Sequence, residues 1–467
     1  MKAVFVGGGS LRLLGILRGA LAEAKVFDGG AMHLYDINAA RAEAMGRMLM
    51  KTPEFRAVSC KLSWGADLDK ALPGADMVGV IIRAGSMLNF ELGADASIKQ
   101  GFASSDNISL NGAFLALKGG PILMDVARRM ERHCPKALLV DFANPVAVLS
   151  GMINNHTKIR CVGVCAGHSN HMSDLPRVLY GIDKEMDAFD IDVAGVNHIS
   201  YVVGGTAKGK DIFKAMDEAL ASPSWKPPKL QSYWSAATKR NIRNSIMKIA
   251  HFYRSLGVII FSTEPDGMQH LDYEGIFADE HKGWRPRSKT QIIKALKAAS
   301  DFRKREDESF QSWLGRDLDA MFWDGHWKSG DLVFRRADND IFVKIMKAIA
   351  GCGAYKVAVS RPNCGAVAGF KDRNVLEYSQ IIDENSIVPA GRYALPDSVQ
   401  GLTSALSAHQ TMLGDAMATD DPLLLARALA AYPIRQYSKT LRDLCKRLAK
   451  INEDEIQPGL RHVGEFL

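Results

Sequence analysis

The stretch "KAVFVGGGS" (residues 2–10) sets a short, continuous apolar run against three glycines and a serine. Runs of that kind are how strands covered on both faces of a parallel sheet read. A helical apolar pattern follows from Leu11 to about Lys25, so the unit is strand, tight turn, helix. Such a turn aims backbone N–H groups and a helix N-terminus at one point, where a pyrophosphate binds, and glycine removes the Cβ that would block its approach. Gly7, Gly9 and Ser10 are therefore expected to hold the phosphates of a dinucleotide. Position 12 is Arg, so the match to GxGxxG is partial, and no GK[ST] follows, which sets aside Walker-type phosphate binding. The next strand, "AMHLYD" (31–36), ends on Asp36, placed to accept hydrogen bonds from an adenosine ribose and so to favour NAD+ over NADP+.

Working outward, strands at 58–63 ("VSCKLS"), 75–85, 137–145 ("ALLVDFANP") and 159–165 ("IRCVGVC") alternate with helical patterns. That alternation predicts a Rossmann-type, doubly wound parallel sheet. After His198 the rhythm changes. "SYVVGGT" and "DIF" flank "AKGK" as a β-hairpin, helices are expected near 235–257 and 289–309, and "DIFVKIM", "KVAVS" and "SIVPAG" read as late strands. Long helices near 399–418, 422–433 and 435–450 close the chain. Residues 1–196 are thus expected to form the NAD-binding unit. Residues 197–467 are expected to form an α+β, lactate/malate-dehydrogenase-like unit carrying substrate, metal and oligomer contacts.

The 467 residues carry a net charge of +7, mild for that length, with no Lys/Arg run or basic-aromatic interleaving to mark a nucleic-acid face. A small anionic substrate is compatible with it. Seven scattered cysteines point to buried thiols in a reducing compartment rather than disulfide staples. The first residues do not read as a signal peptide, and no apolar run is long enough for a membrane helix. A cytoplasmic protein without membrane or nucleic-acid partners is expected. The helix-rich tail after residue 399 offers more apolar surface than a small domain buries, which predicts a homodimer or homotetramer.

"GVCAGHSNH" (163–171) and "VAGVNHISY" (193–201) carry the chemistry. Ligands of an open parallel sheet bind beyond the carboxyl ends of its strands. Cys165 ends one strand there, Asn144-Pro145 ends the preceding one, and His198 ends another apolar run. A thiolate and an imidazole suit a divalent ion with positions left open for substrate oxygens. A zinc knuckle of Cys161, Cys165, His168 and His171, a purely structural cysteine with capping histidines, and a Cys–His nucleophile pair are the alternatives on these residues.

"FVGGGS", "IIRAG", "CPKALLVDFANPVAVL", "GVC" and "GVNHIS" resemble, in this order, the markers of glycoside hydrolase family 4, whose members use NAD+ and a divalent metal. "IVPAGRYALPDSVQGL" and "DDPLLLARALAAYPI" are similar to that family's tail. The resemblance implies that Cys165 and His198 ligate the metal, probed best as Mn2+, and that Arg83, Asn144 and Asn197 contact cofactor or substrate. It also implies the reaction: hydride leaves sugar C3 for NAD+, the metal polarises the ketone, a base takes the C2 proton, the C1–O bond breaks by elimination, water adds, and the hydride returns. Ala166 follows the metal cysteine, where the family commonly carries Asn, His or Asp, so the general-acid role is open, with His168 and His171 as its candidates. The GQET-type stretch is reduced to "GFASSDNISLNGAFLALK" (101–118), which marks a divergent member or sister family.

"STEPDGMQHLDYEGIF" (262–277) resembles the family segment that supplies a tyrosine base, which selects Tyr273, with Tyr253 and Tyr201 behind it. Arg285 and Arg287 are expected to recognise an anionic group on the sugar; a solvated loop is the plainer reading of both. An NAD-dependent dehydrogenase of the lactate/malate type would place an HxxGD-like histidine in the second half, and none is present. A non-catalytic NAD sensor would not need Cys165 and His198 at the same edge.

Overall fold

Strand β1 (Lys2–Val6) is buried from Ala3 onward, and its side chains alternate between two cores: Ala3 and Phe5 on one face, Val4 and Val6 on the other. Such a strand has no polar face because helices cover both sides. The computed structural model describes residues 1–165, 168–181, 189–230, 236–268, 271, 286–314, 341–434 and 441–466.

Beside β1 lie β2 (Ala31–Tyr35), β3 (Lys61–Gly65), β4 (Met77–Val80), β5 (Leu138–Asp141) and β6 (Cys161–Gly163), all parallel, in the order β3-β2-β1-β4-β5-β6. This is the Rossmann strand order, with its switch point between β1 and β4. The sheet then continues without a gap into antiparallel strands. Its second half is built from β7 (Phe189–Val196), β8 (Ile199–Ala207), β9 (Lys210–Asp211), β10 (Ile259–Ile260), β11 (Tyr355–Pro362), β12 (Val375–Ile382) and β13 (Ile387–Pro389). β11 pairs with β6, β12 with β11, β7 with β12, β8 with β7 and β10 with β8, while β13 and β9 flank β12 and β8. The expected α/β half followed by an α+β half is what is seen. The hairpin at "AKGK" is also present, turning through Lys208 (φ 51) and Gly209 (φ 76), the two left-handed residues a type I′ turn requires.

Two readings need correction. "IFVKIMKAI" is a helix, Ile341–Ile349, and not a strand. Its β-branched content suggested a strand, but Lys344 and Lys347 sit a helical step apart as its less buried positions, while Phe342 packs on Phe5 and Phe142 with ring centroids 6.3 and 6.1 Å away. The tail helices Asp397–Thr419, Pro422–Ala430 and Leu441–Asn452 place most of their described apolar residues inside the chain, Leu423 staying exposed. Leu413, Met417, Leu425, Leu429, Leu444 and Leu448 enter the core over the Leu110–His133 helix. β12 was not anticipated, because "LEYSQ" carries buried polar residues where a core strand is expected to be apolar.

Candidate active site

The turn after β1 is held before any ligand arrives. Gly7 and Gly8 donate to the Tyr35 carbonyl at 3.0 and 2.7 Å, Gly9 donates to Asp36 Oδ2 at 2.9 Å, and Asn38 N donates to Asp36 Oδ1 at 2.9 Å. Gly7 has φ +89, and a Cβ at Gly8 would lie 2.7 Å from that of Leu34, so both glycines are required by the packing of the turn itself. Ser10 stands at the N-terminus of the Leu11–Ala22 helix without capping it through its side chain. Asp36 is half-buried at the rim, and next to it Ile37 is 89% exposed, an apolar surface the sequence reading did not single out.

A cleft of ≈ 310 Å³ opens at the switch point, lined among others by Ser10, Arg12, Arg83, Asp106, Phe142 and Asn144. It therefore gathers three of the expected cofactor residues from the ends of β1, β4 and β5. Arg83 pairs with Asp106 at 3.6 Å and lies over the Phe90 ring at 4.6 Å. The turn that carries Arg83 is braced from the far end of the chain: Glu455 accepts from Ser86 N at 2.9 Å and Asn89 Nδ2 at 3.0 Å, and pairs with the buried Lys118 at 2.9 Å.

Beyond β6, Cys165 Sγ lies 3.7 Å from His198 Nε2. The other imidazole nitrogen, Nδ1, meets Asp266 Oδ1 at 2.9 Å, and Glu264 Oε2 is 3.9 Å away. Burial works against charging His198, yet the adjoining Asp266 carboxylate holds its pKa well above the usual histidine range. Burial pushes Glu264 upward, and Asp266 and Asp106 act in the same direction. His198, Glu264 and Asp266 bring ligand atoms within 4.8 Å of one another. With Asp266 on Nδ1, the nitrogen left for an ion is Nε2, on the Cys165 side, and a carboxylate behind a ligating histidine is the usual orienting partner. Thiolate and imidazole on one ion hold S and N roughly 3.6 Å apart at a tetrahedral angle, close to the 3.7 Å found. The donor set fits a divalent metal.

Cys161 is fully buried within β6, its thiol pushed well up by burial, so it is a poor ligand. His168 and His171 begin the His168–Tyr180 helix, but their side chains lie outside the described residues, as do Tyr273 and Arg285. Tyr201 is buried, with its phenol pushed up by burial. Tyr253 donates to Asp217 at 2.6 Å, beside a separate surface cleft. Arg287 is ion-paired with Glu91, and its backbone N–H donates to Asp95 at 2.6 Å. Asn197 is buried and engaged at both ends of its amide, donating to Glu377 Oε2 and accepting from Asn107 Nδ2, each at 2.7 Å.

The sequence reading gave no role to Asp266, Asp106 or Glu377. The one local signal was "PDG" (265–267): a Cβ at Gly267 would lie 1.9 Å from the His198 carbonyl, so glycine there lets the chain close on the histidine.

The family described as Family 4 glycosyl hydrolase matches residues 2–180, and the Family 4 glycosyl hydrolase C-terminal domain matches residues 193–434. An alpha-galacturonidase of Thermoanaerobacter italicus is 22% identical over 462 residues, covering 93% of this chain and 92% of the relative. An alpha-galactosidase of Bacillus subtilis is 22% identical over 451 residues, covering 95% of each. Among solved structures, a 6-phospho-alpha-glucosidase from gut microorganisms, in complex with NAD and Mn2+, superposes with a TM-score of 0.76 at 16% identity over 97% of this chain and 98% of that one. With matches to both of its parts, spanning most of the sequence, the chain belongs to family 4 of the glycosyl hydrolases.

Proposed function

We propose that this glycosyl hydrolase is an NAD-dependent O-glycosidase that also uses a divalent metal ion, Mn2+ in the first instance, and acts in the cytoplasm as a homodimer or homotetramer on a glycoside carrying an anionic group. The observation that carries the reading is the pairing of Cys165 Sγ with His198 Nε2 at 3.7 Å on the same sheet edge as the switch-point cleft. Asp106 joins the two, lining the cleft while acting electrostatically on Glu264 beside His198.

NAD+ would supply a reversible hydride acceptor, held by Gly7, Gly9, Ser10 and Asp36, with Arg83 and Asn144 at its reactive end. The metal, on Cys165 and His198, would supply polarisation of the sugar's C2 and C3 oxygens. Asp266 keeps the His198 ring in the tautomer and direction that leave Nε2 available. The sugar is oxidised at C3, loses its C2 proton to Tyr273, eliminates the C1 substituent, takes up water and is reduced again. The net change is hydrolysis, with no two-electron product. His168 or His171 protonates the leaving oxygen. Asn197 steadies the substrate edge through the network it belongs to rather than by direct contact. Arg285 is left to recognise the anionic group, since Arg287 is paired with Glu91. The acidic sugar named for the alpha-galacturonidase relative supports that class.

The test is a screen of neutral, uronic and 6-phosphorylated aryl glycosides with NAD+ and Mn2+ each added or withheld. Hydrolysis should require NAD+ in catalytic amount and leave no NADH behind. NADH accumulating in step with product would identify a dehydrogenase instead.

A further inference from the structure

A row of paired residues crosses the sheet from its parallel to its antiparallel half: Asp141, Gly163, Ser360, Glu377, Gly195 and Ser200, each in register with the next. Register partners on neighbouring strands project to the same face. Its side chains, Asp141, Ser360, Glu377 and Ser200, are buried and polar, although the row runs through the middle of an apolar sheet. Glu377 is its best-connected member. It reaches across Gly195, which has no side chain, so that Oε1 accepts from Ser200 Oγ at 2.8 Å while Oε2 accepts from Asn197 Nδ2 at 2.7 Å.

Those two partners bracket His198. The histidine has φ 69, in the left-handed region that residues with a Cβ rarely adopt. Its turn therefore needs contacts from outside to hold it. Gly195, with φ +152, has no room for a Cβ, which would lie 2.4 Å from the Ile199 carbonyl, so the turn is tight on the strand side as well. The Asn197 amide continues outward to Asn107, the residue after Asp106, which tethers the turn to the loop beside the cofactor cleft.

We propose that Glu377 is a positioning residue for the metal centre: by gripping Asn197 and Ser200 on either side of His198, it fixes the left-handed turn that brings Nε2 to Cys165 and Nδ1 to Asp266. This rests on the reading of Cys165 and His198 as metal ligands. It adds a residue far away in the sequence, on another strand, that touches neither metal nor substrate.

Glu377→Gln keeps an acceptor for Asn197 and can donate to the Ser200 hydroxyl, whereas Glu377→Ala keeps neither bond. Mn2+ and NAD+ affinities of the full-length protein would be measured separately by calorimetry, next to the thermal midpoint. The expected result is Mn2+ binding within about 3-fold of native for Glu377→Gln and a loss of about 10–100-fold for Glu377→Ala, the usual effect of removing an outer partner, with NAD+ affinity held within about 3-fold. Unchanged Mn2+ affinity in Glu377→Ala overturns the proposal. So does a parallel fall in both affinities, or a Glu377→Gln variant as weak as Glu377→Ala. If Glu377→Ala does not fold, Ser200→Ala, which removes a single hydroxyl, should weaken Mn2+ binding about 3-fold or more; no change there overturns it equally.

A metal-free readout separates this from the proposed function. The downfield proton of His198 Nδ1–H on Asp266, assigned by its loss in His198→Ala, should persist in Glu377→Gln and vanish in Glu377→Ala. A native protein that binds no Mn2+ defeats the metal reading, while the proton signal still decides whether Glu377 holds the histidine.

Discussion

Asp36 has both carboxylate oxygens on backbone N–H groups, one in the glycine turn and one at the start of the next helix. Its removal therefore releases the turn as well as deleting the proposed ribose acceptor. Asp36→Ala is expected to weaken NAD+ binding by about 1–3 kcal/mol; calorimetry showing native affinity would mean that the glycine turn is structural or that another residue holds the ribose. For the metal pair, Cys165→Ser and His198→Ala should each abolish Mn2+-stimulated turnover and leave NAD+ binding largely intact. Cys161→Ala should cost only packing, on the order of 1 kcal/mol. Full activity of both ligand variants in chelator would refute the assignment. That Cys165 and His198 come together was legible in the sequence because each ends an apolar run. Their supports were not. Asp266 is 68 residues from His198 and Glu377 is 180 from Asn197, and no local pattern marks a carboxylate that arrives from so far away.

At the scale of elements, the parallel strands were legible because burial on both faces leaves a continuous apolar run that needs no partner to be recognised. The Ile341–Ile349 helix was misread because, under the sheet, an apolar helix and an apolar strand have the same composition; only the spacing of Lys344 and Lys347 separates them. β12 was missed for the opposite reason, since its polar residues are buried by pairing with other polar residues. The helix Asp397–Thr419 carries one further consequence. His409 is buried, its Nδ1 lies 2.7 Å from the Ala428 carbonyl, and burial lowers its pKa from 6.5 to about 4. A lowered histidine stabilises the fold through its neutral form, fully above pH 6.5, and that stabilisation is lost as the pH falls toward 4. The loss amounts to about 3 kcal/mol. Urea unfolding from pH 7.5 down to 4.5 should show the decline in the native protein and a shallower one in His409→Asn. Equal slopes would show that other groups control acid stability.

At the scale of the whole molecule, the tail closes over the Leu110–His133 helix and its last part, through Glu455, reaches the turn that carries Arg83. Self-assembly, as proposed, would use other surfaces than the tail's core-facing stripes. The homodimer or homotetramer proposed above is checked by light scattering at micromolar concentration, where a monomeric mass would remove it. Among the described residues no helix is long and apolar enough to cross a membrane. The order of strands also sets a timetable for a chain still being made. β7 and β8 pair with each other, but among the described strands only β12 attaches that hairpin to the rest of the sheet. Translation runs at about 5–20 residues per second, so on the order of ten seconds or more separates the emergence of His198 from that of β12. During that interval β6, which leads to Cys165, and the hairpin that turns at His198 are not yet joined through the sheet. The dinucleotide half has its strands early; the Cys165–His198 pair gains its bracing across the sheet, Glu377 included, only once β12 has emerged.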